Sequence, residues 1–241
     1  MKTFKSIAAL VLMLIGFGAY ASTPVLTMVP IDHVYSPKGF DSNDSAEIIV
    51  TGFLPNLCHK SPQTKVVVKD KKIEIQVTSL YYEPSNPFCP EMIVPFVKAV
   101  DVGLLDKGFY DVVVNGKSVF EKKSSILINE ASSDAVDDFT YANVEYVEKQ
   151  LGSREIKLRG YNPSDCFVLD EIAVADNGKD TFSILPKMKQ ISDFCPMKMV
   201  PFSYEMEVPS NLSEAKVLLH VRVMDGKSVN SIFNNKVVDH E

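Results

Sequence analysis

The chain is written twice. Glu47-Ile48-Ile49-Val50-Thr51-Gly52-Phe53-Leu54-Pro55-Asn56-Leu57-Cys58 has a counterpart in Glu155-Ile156-Lys157-Leu158-Arg159-Gly160-Tyr161-Asn162-Pro163-Ser164-Asp165-Cys166. Both read Glu-Ile-x-aliphatic-x-Gly-aromatic-x-Pro-x-x-Cys, 108 residues apart. Phe88-Cys89-Pro90 and Val94-Pro95-Phe96 recur as Phe194-Cys195-Pro196 and Val200-Pro201-Phe202, and Gly116-Lys117-Ser118-Val119 recurs as Gly226-Lys227-Ser228-Val229. Three ordered blocks at nearly constant offset imply two copies of one domain. Each copy, at roughly 100 residues, has the size of an ordinary domain.

The repeat sets the boundaries. Copy one occupies 22–130, an acidic linker 131–138, and copy two 139–241. The linker is small and poor in large apolar side chains, as a solvated connection should be. Asp134, Asp137 and Asp138 offer hard oxygen ligands, but their spacing matches no calcium loop with its required glycine, and calcium binding there stays open.

Within each copy the pattern is that of strands. Ile73-Glu74-Ile75-Gln76-Val77 alternates apolar and polar, and Lys65–Val68 and Phe109–Val114 are short β-branched and aromatic runs. Asn115-Gly116 and Asp225-Gly226 are hairpin signals, because the tight turn between antiparallel strands needs positive φ. Seven strand candidates fall in copy one, from Val29–Val34 to Ser118–Ile128, and copy two repeats the count. Seven short strands without helices predict an all-β chain of two tandem, antiparallel, seven-stranded sandwiches. Strung end to end, they would leave only the copy-one disulfide pole free.

Four cysteines allow three pairings. A duplicated domain carries its bridge within each copy, which predicts Cys58–Cys89 and Cys166–Cys195. Two strands separate each pair, so an alternating chain returns to the end it left and both sulfurs share a pole. A zinc site is disfavoured because His59 has Phe167 as its counterpart, and no Cys-x-x-Cys redox motif is visible.

Met1–Ala21 reads as a signal peptide: Lys2 and Lys5, an apolar run from Ile7 to Phe17, and the small-x-small site Ala19-Tyr20-Ala21. The expectation is a periplasmic or secreted protein, cleaved near Ala21, with no membrane insertion afterwards. Disulfides persist in such a compartment. The net charge of −6 gives no electrostatic footprint for nucleic acid.

The Gly-aromatic-x-Pro-x-x-Cys block, the Cys-Pro loop and the Asn-Gly-Lys-Ser-Val hairpin resemble the tandem immunoglobulin-like β-sandwich modules of secreted bacterial proteins. The resemblance implies architecture and nothing catalytic. The chain departs from antibody domains, having no tryptophan and cysteines too close for an inter-sheet bridge.

No catalytic motif, metal-ligand spacing or phosphate-binding loop appears, so the chain is read as non-enzymatic and without a cofactor. Met188, Met197, Met199 and Met206 are read as core filler. One segment exceeds structural need: Leu80–Phe88, with Tyr81, Tyr82 and Phe88 in a proline-stiffened loop at the disulfide pole. Rigid aromatics anchor binding surfaces at low entropic cost. Against this, Phe88 is expected to pack on the bridge, as Phe194 would. Tyr81, Tyr82, Phe88 and Asn115 are the candidate partner-binding residues. The expected partner is another envelope or extracellular protein or a glycan. The alternatives are a structural or chaperone-like assembly protein and an unrecognised enzyme.

Overall fold

The computed structural model describes residues 23–82, 88–135, 137–150 and 153–235. The expected signal segment and residues 83–87 of the aromatic loop lie outside the described residues. Copy one comprises β1 (Val25–Met28), β2 (Ile31–Tyr35), β3 (Phe40–Asp41), β4 (Ser45–Leu54), β5 (His59–Lys69), β6 (Lys72–Tyr81), β7 (Val94–Leu104), β8 (Gly108–Val114) and β9 (Lys122–Asn129). Copy two comprises β10 (Thr140–Tyr141), β11 (Val144–Lys149), β12 (Glu155–Asn162), β13 (Phe167–Asp176), β14 (Thr181–Gln190), β15 (Val200–Glu207), β16 (Lys216–Val223) and β17 (Lys227–Asn234).

Each copy is two facing sheets. In copy one a six-stranded sheet runs β1-β6-β8-β9-β3, with β5 on the other side of β6, and faces the three-stranded sheet β2-β4-β7. Copy two repeats this as β10-β14-β16-β17, with β13 on β14, facing β11-β12-β15. The alternating positions meet between the sheets. Ile48 and Val50 of β4 pack with Ile73, Ile75 and Val77 of β6, Val112 and Val114 of β8, and Ile126 and Ile128 of β9. In copy two, Ile156 and Leu158 pack with Phe182, Ile184, Val217, Leu219 and Val221.

Among the described residues the strand count is nine and eight, where the sequence predicts seven in each. In each copy a short strand precedes the first expected one. The added strand joins the larger sheet (β1 on β6, β10 on β14), and the expected strand after it joins the smaller (β2 on β4, β11 on β12). In copy one the break between them falls at Pro30, which has no N–H to continue a ladder. The two-residue β3 makes up the remaining difference.

The expected purely antiparallel pairing also needs correction. β6 pairs with β8, and β14 with β16, in parallel. The reason lies in the alternation of direction along the chain. β6 runs toward the disulfide end, β7 returns in the facing sheet, and β8 sets out again in the direction of β6. A strand of the opposite sheet thus serves as the crossover that a parallel pair requires.

Two shared motifs are explained by this geometry. Gly52 pairs with Phe96, and Gly160 with Phe202, at matching places in the two smaller sheets. A β-carbon on Gly52 would lie 2.3 Å from the Pro30 carbonyl oxygen and 2.8 Å from the Phe96 ring. On Gly160 it would lie 2.0 Å from the Asn143 carbonyl oxygen and 2.9 Å from Phe202. The repeated glycine leaves room for the repeated Val-Pro-Phe and for the break between the first two strands of each copy.

The copies pack side by side, not end to end. Tyr35 and Ile49, on the outer face of the smaller copy-one sheet, form a buried cluster with Leu218 and Ile232 on the outer face of the larger copy-two sheet. From Asp44 into β4, Asp44 meets Arg222, Glu47 meets His220, and Ile49 joins Leu218. His33, in register with Thr51, meets Asp180. Residue numbers therefore rise along β4 as they fall along β16. Since β4 runs toward the copy-one bridge and β16 in the direction of the copy-two bridge, the disulfide poles point opposite ways. Among the described residues, neither pole is covered by the other copy.

Candidate functional site

Both expected disulfides are present. Cys58–Cys89 and Cys166–Cys195 have Cα separations of 5.6 and 5.4 Å, within the range a bridge requires. The turn before each first cysteine is closed in the same way. Asn56 Oδ1 accepts from the Cys58 N–H at 3.0 Å, and Ser164 Oγ from the Cys166 N–H at 3.1 Å. Where the following hairpin ends, the Tyr82 N–H donates to the Cys58 carbonyl, and the Ile191 N–H to the Cys166 carbonyl. The second cysteine loop is tied back by Leu57 N–H to Pro90 O at 3.2 Å in copy one and Lys198 N–H to Pro163 O at 3.0 Å in copy two.

These fastened loops turn their apolar side chains outward. Phe88 and Phe194 are each 81% exposed, which overturns the expectation that they pack on the bridges. Met92 and Ile93 accompany Phe88, and Ile191, Met197 and Met199 accompany Phe194, all of them exposed. The expectation of core methionines holds for Met188 and Met206, which pack on the copy-two core, and fails for Met197 and Met199. The signal available in the sequence was the repetition of Phe-Cys-Pro followed by apolar residues in both copies, at positions that no strand claims.

The other candidate residues divide. Tyr82 is exposed at the copy-one pole. Tyr81 ends β6 half-buried and stacked on His59 at 4.5 Å between ring centres, so it belongs to the sheet. His59 Nδ1 lies 2.7 Å from Ser79 Oγ, and burial holds the imidazole pKa below its ordinary value. Asn115 does not face a partner. Its side chain is buried, accepting from the Val77 N–H at 2.7 Å and donating to the Val29 carbonyl at 2.9 Å. It clamps β1, β6 and β8 together where the parallel pairing ends. The expected two-residue hairpin there is a longer turn, with positive φ at Asn115 and Lys117 but not at Gly116. In copy two, Asp225 and Gly226 both take positive φ, as expected.

Sequence reasoning missed the polar joint between the copies. Arg222 is buried and donates to Asp44 Oδ1 at 2.6 Å, to the Gly39 carbonyl at 3.0 Å, and to Asp137. Burial, together with the neighbouring Asp44, raises the Asp137 pKa to about 6 even though Arg222 opposes this. Glu47 accepts from His220 Nε2 at 2.8 Å, from Ser228 and from Asn230. Burial favours the neutral acid at Glu47, but these donors outweigh it and hold its pKa below the usual carboxylate value. At Asp180 the same contest, with His33 2.7 Å away, ends at about 2.

The linker is a fastened strap. Asn43 Nδ2 donates to the Ala135 carbonyl and to Asp138 Oδ1, both at 2.7 Å, and Asp138 also accepts from the backbone and side chain of Ser132. Asp137 and Asp138 are thus engaged by protein donors. Among the described residues no group of three or more His, Cys, Asp or Glu side chains is arranged to hold a metal ion.

Compared with known proteins, residues 48–123 match a family model described as the ORF11 beta-sandwich domain. The matched stretch runs from β4 to the start of β9 in copy one. No curated protein and no solved structure matches the chain.

Proposed function

We propose that this chain is a non-catalytic, extracytoplasmic binding module that captures a protein partner through its two Phe-Cys-Pro loops. The observation that carries this reading is the pair of matched, exposed apolar sets on disulfide-fastened loops, Phe88 with Met92 and Ile93, and Phe194 with Met197 and Met199. Exposed aromatic and methionine side chains on a restrained loop form contact area with little ordering cost, and both types are enriched at protein interfaces. Methionine adds adaptability to the contact. Two disulfides are compatible with an extracellular location, to which the expected signal segment also points. Kinship with immunoglobulin-like modules of secreted bacterial proteins is part of the proposal at the level of the two-sheet plan, with the parallel pairs as a departure.

A second reading, a structural or assembly element of the envelope, is favoured by the buried joint between the copies, which makes the pair a stiff spacer. The two readings separate in one experiment. Mature protein and its Phe88→Ser/Phe194→Ser variant are used for affinity capture from envelope extract, with crosslinking to map the contacts. Binding through the loops predicts loss of capture at an unchanged thermal midpoint. Equal capture by both proteins rejects the loops as the binding site.

A further inference from the structure

The side-by-side packing creates a cleft of about 570 Å³ between the copies, within the range of small-ligand sites and at the kind of domain junction where such sites concentrate. Its charge runs against that of the chain. Four lysines, Lys38, Lys122, Lys123 and Lys179, line it against two carboxylates, Asp32 and Asp180, whereas the whole chain carries 25 basic and 31 acidic residues. Asp180 is already engaged by His33. Lys123 pairs with Glu121, but among the described residues Lys38, Lys122 and Lys179 have no ion-pair partner. A somewhat larger hollow on the outer face of the main copy-one sheet is closer to charge balance, with Lys65, Lys72, Lys117 and Lys123 set against Glu74, Asp111 and Glu121.

The cleft is also held in shape. The Lys38 N–H donates to Ser183 Oγ of the other copy at 3.1 Å, and Ser36 Oγ bonds Ser124 Oγ at 2.8 Å, so the turn carrying Lys38 is tied to both walls. The turn carrying Lys179 is closed by Asn177 Oδ1, which accepts from three successive N–H groups of Lys179, Asp180 and Thr181, each at 3.0 Å. On one wall Phe109 is 71% exposed, an aromatic face beside hydroxyls and ammonium groups.

We propose that this interdomain cleft binds an anionic saccharide, with the lysines meeting its carboxylate or sulfate groups and Phe109 packing against a sugar ring. Cations account for the charge, and a cleft with positive walls concentrates anions even on an acidic protein. The ring accounts for a sugar over a bare ion, because it offers apolar contact that an inorganic anion does not use. This site is separate from the loops of the preceding proposal.

The test is titration calorimetry on the mature protein with a heparin-derived hexasaccharide and an oligogalacturonate hexamer, set beside maltohexaose and inorganic sulfate. One saturable site for either acidic hexamer, with no binding of maltohexaose and much weaker binding of sulfate, is the expected result. Lys38→Glu/Lys179→Glu should weaken it by about tenfold or more through loss and reversal of charge. Phe109→Ala should weaken it by about fivefold while leaving sulfate unaffected. All three positions are exposed, so thermal midpoints should not move. Absence of saturable binding to both acidic hexamers overturns the proposal. So does equal binding of maltohexaose, or binding that neither variant weakens.

Discussion

Replacing Arg222 with methionine removes the cation that joins the two copies while keeping a long apolar stem. The Arg222, Asp44 and Asp137 side chains are 4%, 3% and 13% exposed, so the charges are not shared with solvent. Removing one partner of a buried pair leaves its counter-charge uncompensated, at a cost of about 3–5 kcal/mol. The guanidinium also covers the Phe40 and Tyr141 rings, at 5.3 and 4.9 Å, which places the expected loss toward the upper end. Urea unfolding monitored by tyrosine fluorescence would measure the loss, and small-angle scattering would detect separation of the copies. A triple variant, Arg222→Met/Asp44→Asn/Asp137→Asn, removes the stranded charges together and should recover more than half of it. Asparagine at 44 retains the side-chain oxygen that accepts from the Asp41 N–H at 2.7 Å. A loss below about 1 kcal/mol in the single variant, the value of an exposed pair, would refute the reasoning. Failure of the triple variant to recover stability would do the same.

Three further outcomes follow from the same geometry. Because folding raises the Asp137 pKa to about 6, the stabilisation from its bound proton is complete below the unfolded value near 3.8 and is lost as pH rises through 6, so Asp137→Asn should flatten the stability profile between pH 4 and 7; an unchanged slope by chemical denaturation would contradict this. Gly160→Ala should cost about 1–3 kcal/mol by overpacking, since its new β-carbon meets backbone at 2.0 Å, and an unaltered thermal midpoint would count against that contact. Removing Cys58–Cys89 or Cys166–Cys195 by paired serine substitution should each cost roughly 3–4 kcal/mol, and the two losses should add because the bridges lie at opposite poles; strong non-additivity in denaturant titrations would show that the poles communicate.

Much of the fold was legible because duplication supplies an internal comparison. The pairing of the cysteines followed from Cys58 and Cys166 having equivalent neighbours, and the core followed from alternation in segments such as Ile73–Val77. The parallel β6–β8 pair was hidden, since directional alternation gives the sense of each strand but not which sheet accepts β7. The joint was hidden for a related reason. Glu47 and Glu155 occupy the same place in the repeat, yet the Glu47 side chain is 17% exposed and bonded to His220, while that of Glu155 is 41% exposed and lies 3.6 Å from Lys157. A repeat reports what both copies need and is silent where one copy covers the other. For the candidate site, Phe88 was found by composition, but its exposure was not. These loops lie outside the strands, so no alternation of apolar and polar residues marks which way Phe88 and Phe194 face. Asn115 was singled out for its turn, whereas its amide was needed to satisfy two strands.

The opposed disulfide poles have a mechanical consequence. Tension applied between the two Phe-Cys-Pro loops pulls the copies along the strand direction in opposite senses. The contacts of Asp44 with Arg222, Glu47 with His220, and Ile49 with Leu218 lie in a row along that line. The load then falls on all of them in shear, and they must yield together. The same force applied across the sheets would peel the joint open one contact at a time. A molecule held by its two ends is therefore stiffest along the axis on which those ends would pull.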